Sequence, residues 1–282
     1  MSQLPLLSEY MAEQEFVALD TETTGIWAPA NRMVEIAAVK FRLGSPEDRR
    51  FESLVNPERS IPNEVIRIHG ITDDMVADAP SGREVMSRFL DFIGKDSLLI
   101  AHNAPFDIGF LGCELERAEL SYPDNPVLDT IDVYQRFFPG QPSYSLLSLV
   151  KKYGLGETQA HRALADAIYV RMLMDHAVNK LSTISSREEL LSRLTSYQLA
   201  DWNREPGQFP ERLADLKQAV DDRQRIVIHY RGNSQTPTRR VIRPLGTYTI
   251  GAKIYIRAHC ERARAERTFR IDRIEQFEIV DE

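Results

Sequence analysis

"FVALDTETTG", residues 16–25, decides how the chain is read. Phe16, Val17, Ala18 and Leu19 open a buried strand, yet the run ends in Asp20 and Glu22. Residues two apart on a strand share a face, so a strand persisting through Thr21 sets the two carboxylates side by side. Adjacent anions repel, and burial deepens the repulsion. Positive charge is therefore expected between them.

Further strands are expected at 33–43 ("MVEIAAVKFRL") and 49–55 ("RRFESLV"), with "GSPED" as the hairpin loop. "SGRE" at 81–84 has the capping-box pattern, opening a helix that ends near Gly94. "SLLIAHN" (97–103) and "PVLDT" (126–130) read as short strands. A helix follows the first of these from about Pro105, and three helical stretches follow the second up to Lys180. That is a mixed sheet with helices packed on it. A helix over 185–203 is expected as well, with Ser186 and Glu189 forming a box and Leu190, Leu194 and Tyr197 on one face.

"REPGQFP" marks a boundary, after which the character changes. A short helix at 211–221 precedes strands at 226–230, 238–242, 253–258 and 267–271. In "KIYIRAHC", Ile254, Ile256 and Ala258 alternate with Lys253, Tyr255, Arg257 and His259, the pattern of a half-buried strand. Three segments are expected: 1–180, a helical linker over 181–210, and 211–282.

Composition agrees with a packed protein, at 43% hydrophobic and 27% charged residues. The first residues carry no basic segment leading into an apolar run, and no window approaches ~18 apolar residues, so neither signal peptide nor membrane span is expected. Cys113 and Cys260 form no ligand pattern and read as free thiols in a cytoplasmic protein. The net charge of −7 is unevenly spread. Residues 1–210 hold 20 Lys and Arg against 31 Asp and Glu, a balance of −11, while 211–282 hold 15 against 11, or +4. An acidic part joined to a basic part suggests two domains with different tasks.

Two more acids complete a set. "AHNAPFD" places Asp107 in the first turn of a helix, and "HRALADA" places Asp166 on a late one, five residues after His161. Five residues turn about 140° around a helix, so His161 is expected at the helix entry or in the loop before it. Asp20, Glu22, Asp107, His161 and Asp166 resemble the DEDDh 3′–5′ exonucleases, in the branch of the proofreading epsilon subunit of bacterial DNA polymerase III. The likeness runs from about Phe16 to Met174, with "DTETTG", "HGIT", "AHNAPFD" and the final His and Asp in order. It implies a ribonuclease H-like mixed sheet with flanking helices and hydrolysis of single-stranded nucleic acid from the 3′ end, DNA favoured, to nucleoside 5′-monophosphates.

The chemistry of the residues supports such a site. Converging carboxylates raise one another's pKa unless a cation intervenes. Oxygen-only ligands suit Mg²⁺ or Mn²⁺, and two such ions can stabilise the attacking and leaving oxygens of a phosphoryl displacement. Metal-bound carboxylates are poor proton acceptors, which leaves His161 as the general base. By the same resemblance, "IPNEVIRIHGIT" (61–72) lies against the terminal nucleotide. Glu64 and His69 contact it, Ile68 and Ile71 pack on a base, the Thr23 amide meets the 3′ end, and Asn103 and Phe106, which flank Asp107, are further substrate-binding candidates. Asp129 and Asp132 read as a strand-end acid and a helix-capping acid that support the site without binding metal.

The tail resembles a WYL domain, an Sm-like β-barrel module, over about 213–280. "AVDDRQRIVIHYRG", "TRRVIRPLG", "KIYIRAHC" and "RTFRIDRI" carry the likeness, with Ile254-Tyr255-Ile256 where Trp-Tyr-Leu is usual. The resemblance implies a module that binds nucleic acid or a nucleotide ligand and regulates its partner domain, binding or gating the strand, and the residues offer the means. Tyr230 and Tyr255 supply stacking surfaces, and Arg239, Arg240, Arg243, Arg257, Arg270 and Arg273 supply phosphate contacts. Asp272 and Glu275 are interspersed, and pairing with them would leave a merely solvated face. Two other functions fit the same residues: a non-enzymatic nucleic-acid or nucleotide sensor, and an exoribonuclease. Proofreading, repair and degradation of invading nucleic acid stay equally open, and no segment points to a polymerase partner.

Overall fold

The computed structural model describes residues 6–156, 162–203, 209–232, 236–250 and 253–280. The chain forms two compact units that divide between Leu199 and Ala200. In the first, α1 (Glu9–Glu13) leads into an antiparallel meander of β1 (Phe16–Thr23), β2 (Met33–Phe41) and β3 (Asp48–Leu54). Then come α2 (Asn63–His69), α3 (Asp73–Val76), α4 (Gly82–Ile93), β4 (Leu98–Ala101), α5 (Pro105–Arg117) and β5 (Val127–Asp129). Strand β4 runs parallel to β1, and β5 parallel to β4. After them follow α6 (Thr130–Phe137), α7 (Leu146–Tyr153), α8 (Ala163–His176), α9 (Val178–Leu181), α10 (Arg187–Arg193) and β6 (Ser196–Tyr197). The sheet order is β3-β2-β1-β4-β5-β6, the expected mixed sheet.

Local sequence explains much of this. Ser81 and Glu84 close a complete capping box at the start of α4, and Gly94 ends the helix with φ 65°. Phe16, Ala18, Leu98, Ile100 and Leu128 present one apolar face of the sheet, covered by Tyr134, Leu149, Val170 and Leu173 from α6, α7 and α8. Val17 and Leu19, which alternate to the opposite face, are also fully buried. The acids at the end of β1 therefore rise from a strand rigidly packed on both sides.

Residues 181–199 differ from the linker expected there. The helix stops at Arg193, and Leu194 is already extended. Leu190 and Leu194 sit in the main core, and Ser196–Tyr197 pair with β5 as an edge strand. Apolar burial and the Thr195 N–H, which donates to Asp132 Oδ2 at 2.8 Å, hold this segment to the first unit.

The second unit contains α11 (Ala214–Asp221), β7 (Ile226–Tyr230), β8 (Thr238–Ile250), β9 (Lys253–Cys260), β10 (Ala265–Arg270) and β11 (Ile274–Ile279). Its antiparallel sheet has the order β10-β9-β8-β7-β11. The edge strands β10 and β11 are joined by the three-residue turn Ile271–Arg273. Flat, those edges would lie ~19 Å apart, more than the ~14 Å that four chain steps can span. The sheet must therefore curl toward a barrel, around a core of Leu216, Ile228, Ile242, Ile256 and Ile274. Strand β8 runs on past Ile242 through a register shift at Pro244 and Gly246, residues that would ordinarily end a strand. Among the described residues, no helix is long and apolar enough to cross a membrane. Cys113 and Cys260 are buried and free.

Candidate active site

Strand β1 outruns its parallel neighbour. Its last pairing with β4 joins Ala18 to Ile100, whereas its pairing with β2 continues, Asp20 opposite Ala37 and Glu22 opposite Glu35. A crevice at the carboxyl ends of parallel strands is where α/β sheets hold ligands. Helix α8 packs on β1 and β2 and carries Asp166 in its first turn. One carboxylate oxygen each from Asp20, Glu22 and Asp166 lie within 4.8 Å of one another.

Asp107 arrives from the other side of the sheet. Thr21 alternates to the face opposite Asp20, and its Oγ1 donates to Asp107 Oδ1 at 2.8 Å. The chain enters α5 through Asn103, whose φ of 67° is a left-handed conformation that Asn tolerates. The Asn103 N–H donates to Asp129 Oδ1 at 3.0 Å, and the same oxygen caps α6 by accepting from Ile131 N–H at 2.9 Å. Asp129 thus locks the turns after β4 and β5 together, a supporting role outside the acidic cluster.

The electrostatics define what the site needs. Burial, followed by repulsion from Asp107, Asp166, Glu22 and Glu35, holds the Asp20 carboxyl well above its usual range. Burial, then Asp166, Glu35 and Asp107, pushes Glu22 up to about 8. Burial also lifts Asp107 to about 7, against the hydrogen bond from Thr21. Asp20, Glu22 and Asp107 so placed carry their full charge at neutral pH only beside cations. An all-oxygen donor set suits hard divalent ions, and Asp20, Glu22 and Asp166 could together hold one.

The other expected residues divide sharply. Helix α8 begins at Ala163, two residues beyond His161, which lies outside the described residues. Thr23 is buried at the register shift and donates to Gly25 O at 2.7 Å. Glu64 and Asn103 are exposed, and Phe106 packs on Phe110 with ring centroids 5.0 Å apart. Ile68 is 55% exposed. Ile71 is not exposed, because it lies in a small core with Val34, Ile61 and Val76. His69 is buried, and its Nδ1 accepts from Ile71 N–H at 3.0 Å, which gives it a structural task at the end of α2.

In the second unit Tyr255 is only 5% exposed, so its ring offers no stacking surface. Tyr230 is half-buried, edge-on to Phe269, and accepts from Arg270 N–H. Several arginines are engaged by acids: Arg270 with Asp272 at 2.5 Å, Arg243 with Glu261 at 3.6 Å and Arg257 with Glu266 at 3.6 Å. Arg273 is half-buried beside them in the turn. Arg239 is exposed and Arg240 half-buried, and neither makes an ion pair among the described residues.

Two residues outside the sequence reading belong to this site. Glu35, fully buried on β2 opposite Glu22, accepts from Arg162 Nε at 3.1 Å and from Ala163 N–H at 2.9 Å. A lone acid in "MVEIAAVK" gives no sign of this, since its partner lies 127 residues away.

Comparison with known proteins agrees with this geometry. The family model described as Exonuclease matches residues 17–173, more than half of the chain. The chain belongs to the exonuclease family. Residues 211–279 match the WYL-domain model. The exonuclease unit is similar to DNA polymerase III PolC-type of Bacillus cereus, at 40% identity over 170 residues, covering 58% of this chain and 12% of that protein. It is 41% identical over 170 residues to the DNA polymerase III epsilon subunit of Treponema pallidum, covering 57% of this chain and 78% of that one. The chain thus spans about an eighth of the PolC-type relative and most of the epsilon subunit. A solved structure of the nuclease domain of 3'hExo, a DEDDh family member bound to rAMP, shares the exonuclease fold. Its TM-score is 0.55 at 18% identity, over 63% of this chain and 96% of that one.

Proposed function

We propose that the protein is a metal-dependent 3′–5′ exonuclease that releases nucleoside 5′-monophosphates from single-stranded nucleic acid, DNA in preference to RNA. The convergence of Asp20, Glu22 and Asp166 oxygens within 4.8 Å carries the reading, with Asp107 tied to the same strand by Thr21. Two Mg²⁺ or Mn²⁺ ions, when bound, supply positive charge to the scissile phosphate and acidify the attacking water. The chain's own residues do the rest. The four carboxylates stay ionised and hold the ions, the His161 imidazole accepts the water's proton, and Ile68 offers an apolar surface to the terminal base. The second unit binds the strand through Arg239 and Arg240 in the cytoplasm, with polymerase association and repair as roles open to such an enzyme.

A degradation time course on labelled single-stranded DNA, duplex DNA and RNA, with Mg²⁺ or Mn²⁺, tests this. Mononucleotides should accumulate fastest from single-stranded DNA, and Asp20→Asn should lose at least about a thousandfold in rate, the scale of a lost electrostatic element. Absence of mononucleotide from every substrate with either metal would overturn the reading.

A further inference from the structure

We propose that Glu35 and Arg162 form a positioning pair that sets Asp166 in the acidic cluster. The inference rests on the metal-dependent reading above. Glu35 lies beside Glu22 across the β1–β2 ladder, close enough to raise the pKa of both Glu22 and Asp20, yet its oxygens are absent from the cluster of Asp20, Glu22 and Asp166. Its oxygens are taken instead. Both accept from Arg162 Nε at 3.1 Å, Oε1 also accepts from Arg162 Nη2 at 2.5 Å, and Oε2 accepts from the Ala163 N–H at 2.9 Å.

The geometry makes this a two-point clamp on α8. The guanidinium fork fixes the residue before the helix, and the N–H bond fixes its first residue. A planar fork on a carboxylate defines direction as well as distance, which a lysine cannot reproduce. Asp166 follows within one turn, its N–H donating to Arg162 O at 3.1 Å. A shift of the clamp is thereby passed to the Asp166 carboxylate. In sequence Arg162 also follows His161 directly, so the clamp anchors the chain next to the expected base.

Position and charge predict opposite signs, which makes the pair testable. If Arg162 acted only through charge, Arg162→Met would strengthen the anionic field and tighten Mn²⁺ binding. The clamp predicts that the Mn²⁺ dissociation constant, followed by electron paramagnetic resonance on the full chain, rises about tenfold. It also predicts that kcat falls while KM for single-stranded DNA stays within about twofold, and that Arg162→Lys recovers only part of the loss. The double variant Glu35→Gln/Arg162→Met leaves no unpaired buried charge, keeps the fold testable, and should show the same weakened binding. Native or tighter Mn²⁺ affinity in the folded single or double variant overturns the proposal, as does a rise in KM with native affinity, which would assign Arg162 to the substrate. A wild-type chain that binds no Mn²⁺ would instead bring down the metal-dependent reading itself.

Discussion

Thr21 Oγ1 donates to Asp107 Oδ1 across the end of β1, while Asp20 and Glu22, one residue to either side, meet Asp166 on the opposite face. The alternation of a single strand thus recruits two helices. Even-numbered positions 20 and 22 face α8, and position 21 faces α5, so the acids gather at the carboxyl end of β1 from both layers. Losing the hydroxyl at 21 removes a donor to the Asp107 carboxylate that holds its pKa down against burial. Thr21→Val should lower kcat/KM about tenfold and shift the alkaline rise of its pH profile upward. Stability should change by only about 1 kcal/mol, the worth of one neutral donor. Steady-state rates between pH 6 and 9 check this, and an unchanged profile would remove Thr21 from the site.

The raised carboxyl pKa values make stability depend on pH in a definite direction. Asp20, Glu22 and Asp107 bind protons more tightly folded than unfolded, so their contribution is complete below about pH 4. It is lost as pH rises through about 7 for Asp107 and about 8 for Glu22. Without divalent ions, Tm should fall by about 5 °C or more between pH 6 and 9. Mn²⁺ should reverse the fall, with its largest stabilisation at the alkaline end, where no proton competes for the carboxylates. Asp20→Asn should flatten both trends. Differential scanning fluorimetry with chelator or Mn²⁺ decides it, and a Tm that rises with pH in chelator would contradict the assigned shifts.

What could be read from the sequence was local. Phe16 to Glu22 announce a strand ending in acid, and Ser81 with Glu84 announce a helix start, because each signal lies within a few residues of its cause. Glu35 could not be read this way, since its pairing with Arg162 exists only once α8 lies on β2. His69 and Ile71 show the same limit from the other side. Their motif points to substrate, but Ile71 is buried where Val34 and Val76 close over it, a contact between separate elements, and His69 is buried as well. Strand β11 was missed because "IEQFEI" alternates weakly and gains its place by pairing with β7. Tyr255 misled because strict alternation assumes one wet face, whereas a curled sheet can cover both.

The loop following β1 is anchored from α5. Arg117 donates to the carbonyls of Ala28, Pro29 and Asn31 at 3.0, 3.1 and 3.2 Å, and the buried Glu114 accepts from both Arg117 and Arg32 at 2.9 Å. Glu114→Gln weakens two charge-assisted bonds at once. Both arginines keep some solvent, so the cost should be about 2–3 kcal/mol, below that of breaking a fully buried pair. A drop in Tm of roughly 5–10 °C with a parallel loss of kcat/KM is expected. Chemical denaturation of the variant tests the value, and a loss under 0.5 kcal/mol would show that the loop holds itself.

Nucleic-acid binding by the second unit should rest on few side chains, because acids already occupy Arg243, Arg257 and Arg270. Arg239 and Arg240, adjacent on β8, make no ion pair among the described residues. Replacing both with alanine should weaken single-stranded DNA binding and reduce the slope of log K against log salt by about 1.4, the release expected for two phosphate contacts. Rates at saturating DNA should hold. Fluorescence anisotropy across a salt series measures this, and an unaltered slope would remove these arginines from the strand's path.

His161 completes the argument, because a base and a ligand fail differently. A metal ligand lost at this position would weaken Mn²⁺ binding and turnover together. A general base lost there should cost about 10²–10⁴ in kcat and leave the ion affinity within twofold. The pH profile separates the two further. In the wild type, log kcat/KM should climb with unit slope over the acidic range in which the base is protonated. In His161→Ala that limb should vanish, leaving a low residual rate that no longer changes with pH over that range. His161→Gln, which keeps a polar group without a titrating nitrogen, should behave like the alanine variant. Retention of the acidic limb in either variant would place the base on another residue, and weakened Mn²⁺ binding in both would move His161 from the base's role to the ligand set.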